Sequence, residues 1–262
     1  MEVVIVDCPG AAGTLVGGAV AALVRSRPAA ILGLATGSSP LVVYRDLARR
    51  HGAGEVSFAA ARAFLLDEYV GLAPDDPRSY RGFIADKLER HVDFAPGAVR
   101  GPEVAGDGED LAAACVEYEA AIAAAGGVDL QLLGVGTDGH VAFNEPGSSL
   151  ASRTRIKTLT DQTRRDNARF FPRPEDVPRH VVTQGVGTIL DARHLVLLAF
   201  GGAKADAVAR AVEGPVTAMV PASALQLHPH VTVVVDEPAA TRLALAGYYR
   251  ETWRHKPRWQ GL

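Results

Sequence analysis

Short apolar runs alternate along the chain with longer runs of helical spacing. Val3–Val6, Ala30–Ala35, Arg62–Leu66, Val128–Leu133, His194–Phe200 and Val231–Val235 read as strands, being four to seven residues long and rich in Val, Leu and Ile. Between them, Ala11–Arg25, Pro40–Arg50, Pro77–Arg90, Leu111–Ala125, the residues after Lys204 through Glu213, Pro221–Leu227 and Pro238–Arg250 read as helices. Pro40 suits a first helical position behind a Ser cap. No repeat and no linker interrupts this alternation. It predicts a single α/β domain over residues 1–262, a largely parallel open sheet flanked by helices on both faces.

One segment departs from the pattern. Thr160–Phe171 is polar, Arg-rich and helical in spacing, and Pro172, Pro174 and Pro178 break it. Little here would fill a core, so the region around 158–185 is expected to form a lid or surface flap. The tail, Trp253–Leu262, holds both tryptophans and is expected to dock on the body.

Composition narrows the function. Hydrophobic residues make up 48% and charged residues 22%, which is globular, and a net charge of −3 gives no basic footprint for nucleic acid. Cys8 and Cys115 form no disulfide framework and no metal cluster, and they fit a reducing, cytoplasmic setting; Cys115 reads as a small core residue. No signal peptide and no apolar run of about 18 residues is present, so no membrane partner is expected.

Four polar loops follow strands, and in a parallel sheet those loops share one edge. Thr36-Gly37-Ser38-Ser39-Pro40 offers hydroxyls and free amides to an anion such as phosphate, although it also reads as a plain strand-turn-helix junction. No Lys follows in the register of a Walker A loop. Asp67-Glu68-Tyr69-Val70-Gly71 puts adjacent carboxylates at a strand end, suited to general base work or to a solvated turn. Gly201-Gly202-Ala203-Lys204 is a second anion candidate. In Gly134–Pro146, Asp138 is spaced to orient His140 and Glu145 is near enough to be a second partner. A metal reading of Asp, His and Glu lacks a second His or Cys at ligand spacing.

Three of these stretches resemble the signature of glucosamine-6-phosphate deaminases: Gly134-Val135-Gly136-x-Asp138-Gly139-His140-x-Ala142-Phe143-Asn144-Glu145-Pro146, Asp67-Glu68-Tyr69-Val70-Gly71, and Ser148-Ser149-Leu150-Ala151-Ser152-Arg153-Thr154-Arg155-Ile156-Lys157. The likeness runs on through Leu225-Gln226-Leu227-His228-Pro229 to Gly261-Leu262. It implies a Rossmann-like fold and conversion of glucosamine 6-phosphate and water to fructose 6-phosphate and ammonia, with no metal or other cofactor. By the same resemblance Asp67 is the proton-abstracting carboxylate, and His140 opens the ring with Asp138 and Glu145 as partners. Thr36, Gly37, Ser38 and Ser39 bind the phosphate, helped by Arg169 and Lys204.

Some members of that family are activated by N-acetylglucosamine 6-phosphate at subunit interfaces and are hexamers. Ser148, Arg155, Lys157 and Tyr248 match their effector positions, which implies a homo-oligomer, whereas His194 stands where they have an acidic residue and the N-terminus begins differently. A 6-phosphogluconolactonase would share the fold but not Phe143-Asn144-Glu145-Pro146 together with Asp67-Glu68-Tyr69. A galactosamine 6-phosphate deaminase differs only in pocket shape. A non-catalytic sugar-phosphate sensor would lack the carboxylates that Asp67, Asp138 and Glu145 supply.

Overall fold

A computed structural model describes residues 1–73, 75–104, 108–168 and 171–262. The expected strands are present: β1 (Glu2–Val6), β2 (Ile31–Leu34), β3 (Arg62–Leu65), β6 (Leu130–Gly134), β9 (Leu195–Ala199) and β10 (Val231–Asp236). So are the helices α1 (Pro9–Ser26), α2 (Leu41–Gly52), α3 (Tyr80–Lys87), α4 (Gly108–Ala124) and α7 (Ala205–Val212). A two-residue strand, β5 (Val99–Arg100), completes a seven-stranded sheet in the order β1-β10-β9-β6-β2-β3-β5, parallel throughout.

That order sets where the helices go. The chain steps one way across the sheet from β1 through β2 and β3 to β5, then returns through β6 and β9 to β10. Right-handed crossovers therefore put α1, α2 and α3 on one face and α4 and α7 on the other. The contacts of α2 with both α1 and α3 agree. β2 and β6 are hydrogen-bonded neighbours whose onward connections leave to opposite faces. A crevice opens between their loops at such a switch point.

Part of the chain was not legible as strand. Asp67–Tyr69, expected as the end of β3, is a separate strand, β4, antiparallel to β8 (His180–Thr183), which in turn pairs with β7 (Arg155–Thr158). β8 lies inside the segment expected to be a flap, yet Val181, Val182 and Thr183 are fully buried. The polar helix there is α5 (Asp161–Asn167), shorter than the Thr160–Phe171 pattern, and Arg169 lies outside the described residues. α6 (Val186–Leu190) follows β8.

Three boundaries also differ. Pro40 occupies the N-cap of α2, with φ −72° and no side-chain cap from Ser39, so the helix begins at Leu41. Pro238–Arg250 splits into α8 (Glu237–Ala240) and α9 (Ala246–Arg254). The break is held by the Glu213 carboxylate, which accepts from the Ala244 and Leu245 amides at 2.7 and 2.9 Å. In the tail, Trp253 and Leu262 pack on the core and Lys256 reaches Glu2 at 2.5 Å, but Trp259 is 83% exposed.

The main core fills both sides of the parallel sheet. A second cluster of Tyr69, Phe143, Leu159, Phe171, Val177 and Val181 covers one side of the small sheet. A third includes Cys115, which is buried as expected and whose thiol burial pushes up.

Candidate active site

The site follows from strand ends. β2 runs out into Thr36–Ser39, where Gly37 turns with φ +93°, a left-handed conformation that favours glycine. Among the described residues, no side-chain hydrogen bond involves the hydroxyls of Thr36, Ser38 or Ser39. The buried hydroxyl of Tyr44 on α2 donates to the Ala35 carbonyl at 2.6 Å and holds the turn from behind. β9 runs out into Gly201–Lys204, where the Asp236 carboxylate accepts from the Gly201 amide at 2.9 Å and caps Ala239 at 3.0 Å.

β6 ends in the loop that carries His140. Its ring lies over Gly136 so closely that a Cβ there would stand 2.2 Å from the imidazole, so only glycine fits. Asp138 Oδ1 is 2.8 Å from Nδ1 and also accepts from the His140 amide at 3.0 Å. The imidazole beside it holds the Asp138 carboxyl down at about 2. A carboxylate on Nδ1 leaves Nε2 as the ring nitrogen for other work. Ala142 takes φ +50°, a turn that sends Phe143 and Asn144 inward, both buried.

β4 supplies Asp67. It is 6% exposed and pairs in register with Thr183, whose hydroxyl accepts from the Phe143 amide at 3.2 Å. That bridge ties the His140 loop to the strand beside Asp67. No hydrogen bond holds the Asp67 carboxyl among the described residues. Burial, and secondarily the charge of Glu68, hold it well above the usual carboxylate range. Glu68 is different, because its two oxygens accept from the amides of Tyr69, Tyr80 and Arg81 at 2.8 to 2.9 Å.

Glu145 does not meet His140 through any of its hydrogen bonds among the described residues. Its Oε1 accepts from Thr163 Oγ1 at 2.5 Å and Thr160 Oγ1 at 3.2 Å, at the start of α5. A carboxylate is favoured at a helix N-terminus, and this one is 7% exposed. The expectation of Glu145 as a second partner of His140 therefore differs from the observed contacts. The neighbouring Asn144 bonds Gln184 and Arg155, at 2.8 and 2.9 Å, and so joins the same loop to β7 and β8.

Ser148, Arg155 and Lys157 lie beyond the loop. Ser148 Oγ is buried with no partner, and Lys157 has no ion pair among the described residues. Tyr248 is apart from them within the chain, 63% exposed on α9, which packs against β1 at the other side of the sheet. Thr183, Asn144 and the anchoring role of Glu68 were not singled out from the sequence. Their only sequence signal was position, next to a strand end or a candidate residue.

A family model for glucosamine-6-phosphate isomerases/6-phosphogluconolactonase matches residues 10–234. The chain belongs to this isomerase/lactonase family. Within the isomerase/lactonase family it is 62% identical over its full length to the glucosamine-6-phosphate deaminase of Mycolicibacterium smegmatis and 63% to that of Beutenbergia cavernae, each covered completely. Among solved structures it resembles a monomeric glucosamine-6-phosphate deaminase, with TM-score 0.89 and 40% identity over 92% of this chain and 100% of that one. The 6-phosphogluconolactonase of Trypanosoma brucei aligns with TM-score 0.74 at 20% identity, covering 93% and 98%, which speaks for the shared fold alone. No helix among the described residues is long and apolar enough to cross a membrane.

Proposed function

We propose that this chain is a glucosamine-6-phosphate deaminase, converting glucosamine 6-phosphate and water to fructose 6-phosphate and ammonia. The observation that carries the reading is Asp67: a buried carboxyl with no hydrogen bond among the described residues, tied through Thr183 to the loop that holds His140. The full-length likeness to proteins of that name supports the same reaction over the lactonase.

The chemistry requires these residue types. A closed amino sugar has no acidic C2–H, so the ring opens first. His140, oriented by Asp138, moves a proton from the anomeric hydroxyl to the ring oxygen. The aldehyde then acidifies C2. Asp67 takes that proton while the C1 oxygen gains one from His140, leaving an enolamine, and Asp67 returns its proton to C1. Water adds at C2 of the resulting iminium, and ammonia leaves as the ketone forms. A carbon acid offers its base no hydrogen bond in the ground state, so a carboxylate with no other partner is suited to the task. Positioned proton transfer contributes roughly 10²–10⁴-fold.

Thr36, Gly37, Ser38 and Ser39 hold the phosphate, with Lys204 and Arg169, and this handle supplies orientation. The part of the 158–185 region that precedes the buried strand β8 acts as the lid that keeps bulk water from the enolamine. Glu145, at the junction of the His140 loop and α5, completes the machinery by coupling the two. The reaction runs in the cytoplasm without a cofactor. The Ser148 hydroxyl and Lys157, which have no hydrogen-bond or ion-pair partner among the described residues, and Arg155 beside them on β7 favour an anionic activator such as N-acetylglucosamine 6-phosphate. Tyr248 lies on α9, which packs on the β1 edge of the sheet, so that site is completed by a second copy in a homo-oligomer, a hexamer in the allosteric form.

The deciding experiment follows ammonia and fructose 6-phosphate together, with wild type and Asp67→Asn, with and without N-acetylglucosamine 6-phosphate. Equimolar products that nearly vanish in the variant are expected. Ammonia undiminished in Asp67→Asn would remove Asp67 from the mechanism. No ammonia from the wild type, with turnover of galactosamine 6-phosphate or 6-phosphogluconolactone instead, would replace the substrate.

A further inference from the structure

We propose that Glu68 is a positioning residue for this reaction, clamping the amino end of α3 onto β4 and standing as a fixed negative charge beside Asp67. The inference rests on the deaminase reading of Asp67 and adds to it a second carboxylate with a different task. The two are consecutive on β4, so the strand pleat sends them to opposite faces. Asp67 shares its face with its register partner Thr183, whose hydroxyl meets the His140 loop. Glu68, 3% exposed, faces α3.

Its hydrogen bonds fix its charge state. Oε1 accepts from the Tyr69 amide at 2.8 Å and the Tyr80 amide at 2.9 Å, and Oε2 accepts from the Arg81 amide at 2.8 Å. Amide N–H groups donate and cannot accept, so a proton on either oxygen would face donors only. Burial, the larger effect, leaves the Glu68 carboxyl somewhat above the usual glutamate range, and the three amides and Arg81 offset part of that. Helix capping alone does not account for the arrangement. Ser79 already caps α3, its hydroxyl accepting from the Gly82 amide at 2.8 Å. Glu68 comes from a different element and takes the first two amides of the same helix, ahead of the one that Ser79 takes.

Two consequences reach the chemistry. The first is geometric: Tyr80, held by its amide, stacks its ring on Phe143 of the His140 loop (5.9 Å, 9°) and sets its hydroxyl 3.2 Å from that of Tyr69. The wall between the Asp67 strand and the His140 loop is thus built on the Glu68 clamp. The second is electrostatic. Among the described residues, the titratable groups that act on the Asp67 charge are Glu68, one residue along on the other face of the strand, Tyr69, Tyr80 from α3 and Tyr118 from α4. The three phenols are all pushed up by burial and stay neutral, so Glu68 supplies the charge. A negative neighbour makes Asp67 a stronger base toward the C2 proton than an ordinary carboxylate.

The test compares Glu68→Gln, Glu68→Asp and Ser79→Ala with the wild type. The readouts are the pH profile of kcat/KM and the carbon-13 titration of the Asp67 carboxyl in the free protein, assigned with Asp67→Asn. Glu68→Gln is expected to move both titrations down by about one pH unit and to lower kcat about tenfold on the alkaline plateau. Ser79→Ala loosens α3 without touching the charge, and is expected to cost stability while leaving both titrations in place. Glu68→Asp keeps the charge but shortens the clamp, and is expected to lower kcat with the titration unmoved. An unmoved Asp67 titration in folded Glu68→Gln overturns the proposal. If that variant does not fold, wild-type kcat in Glu68→Asp does so. Absence of deaminase activity in the wild type would instead sink the proposed function, and the carbon-13 titration would still read the pair.

Discussion

Acidification from pH 8 to pH 5 is expected to cost this protein about 2 kcal/mol through His194 alone. The ring is buried at the amino end of β9, stacked on His230 at 3.6 Å and 5°, with Nε2 3.0 Å from Thr232 Oγ1. Burial first, then the charges of His230, His228 and Lys256, lower its pKa from 6.5 to about 4. His230 is itself pulled down mainly by burial, with Glu2 and the Leu262 backbone acting the other way. Because the folded value is the lower one, the unfolded chain binds more protons between about 4 and 6.5. Stability is therefore present above pH 6.5 and lost as pH falls through that window. At pH 5 the ratio of binding polynomials is about thirty, which gives the stated 2 kcal/mol, or about 4–8 °C in Tm for a chain of this size. Urea unfolding at pH 8, 6.5 and 5 would measure it, with His194→Phe as the comparison, since that variant keeps a ring on His230 and removes the titration. The wild type should lose about 2 kcal/mol more than the variant over that range. Equal losses in both would refute the reasoning and place the acid sensitivity elsewhere.

Other outcomes follow from single contacts. Gly136→Ala puts a Cβ where the His140 ring lies, so kcat should fall about 100-fold in a protein that still unfolds cooperatively; steady-state kinetics beside thermal unfolding would check this. Thr163→Val removes the 2.5 Å donor to Glu145 and leaves a buried carboxylate short of a partner, at about 1–3 kcal/mol. Hydrogen exchange should show the loss concentrated in α5, and uniform loosening would contradict the assignment of that contact. Asp129→Ala strips the shared partner of Arg27 and Arg193 and of the Ile31 amide, at the opposite end of the sheet from the crevice. It should cost roughly 3 kcal/mol in urea unfolding while kcat stays unchanged.

Much of the architecture was legible because its causes are local. Apolar runs such as Leu195–Ala199, flanked by Gly-rich turns, leave few alternatives to buried parallel strands, and the Ala-rich runs between them must cover the sheet. The convergence of the loops after β2, β6 and β9 then follows from parallelism itself. β8 was hidden because His180–Thr183 is four residues long and follows a Pro-rich stretch, so no pattern separates it from loop. β4 was hidden because two of its three residues are carboxylates, a composition that propensity assigns to turns. Both are strands because each completes the other's hydrogen bonding.

The order of residues alone carried the fold class and the edge on which the polar loops gather, and it marked Asp67, Asp138 and His140 as candidates for the chemistry. Asp138 could be paired with His140 from spacing alone, because a two-residue separation in a tight loop brings the groups together whatever the rest of the chain does. The partners of the other carboxylates were decided by the tertiary structure. Glu145 is five residues from His140, yet its carboxylate goes to Thr160 and Thr163 because β7 brings the start of α5 alongside. Glu68 is adjacent to Asp67, yet the pleat turns it away to amides a dozen residues on. Which donor reaches which carboxylate depends on strand register and crossover path, and neither is written in the spacing of residues along the chain.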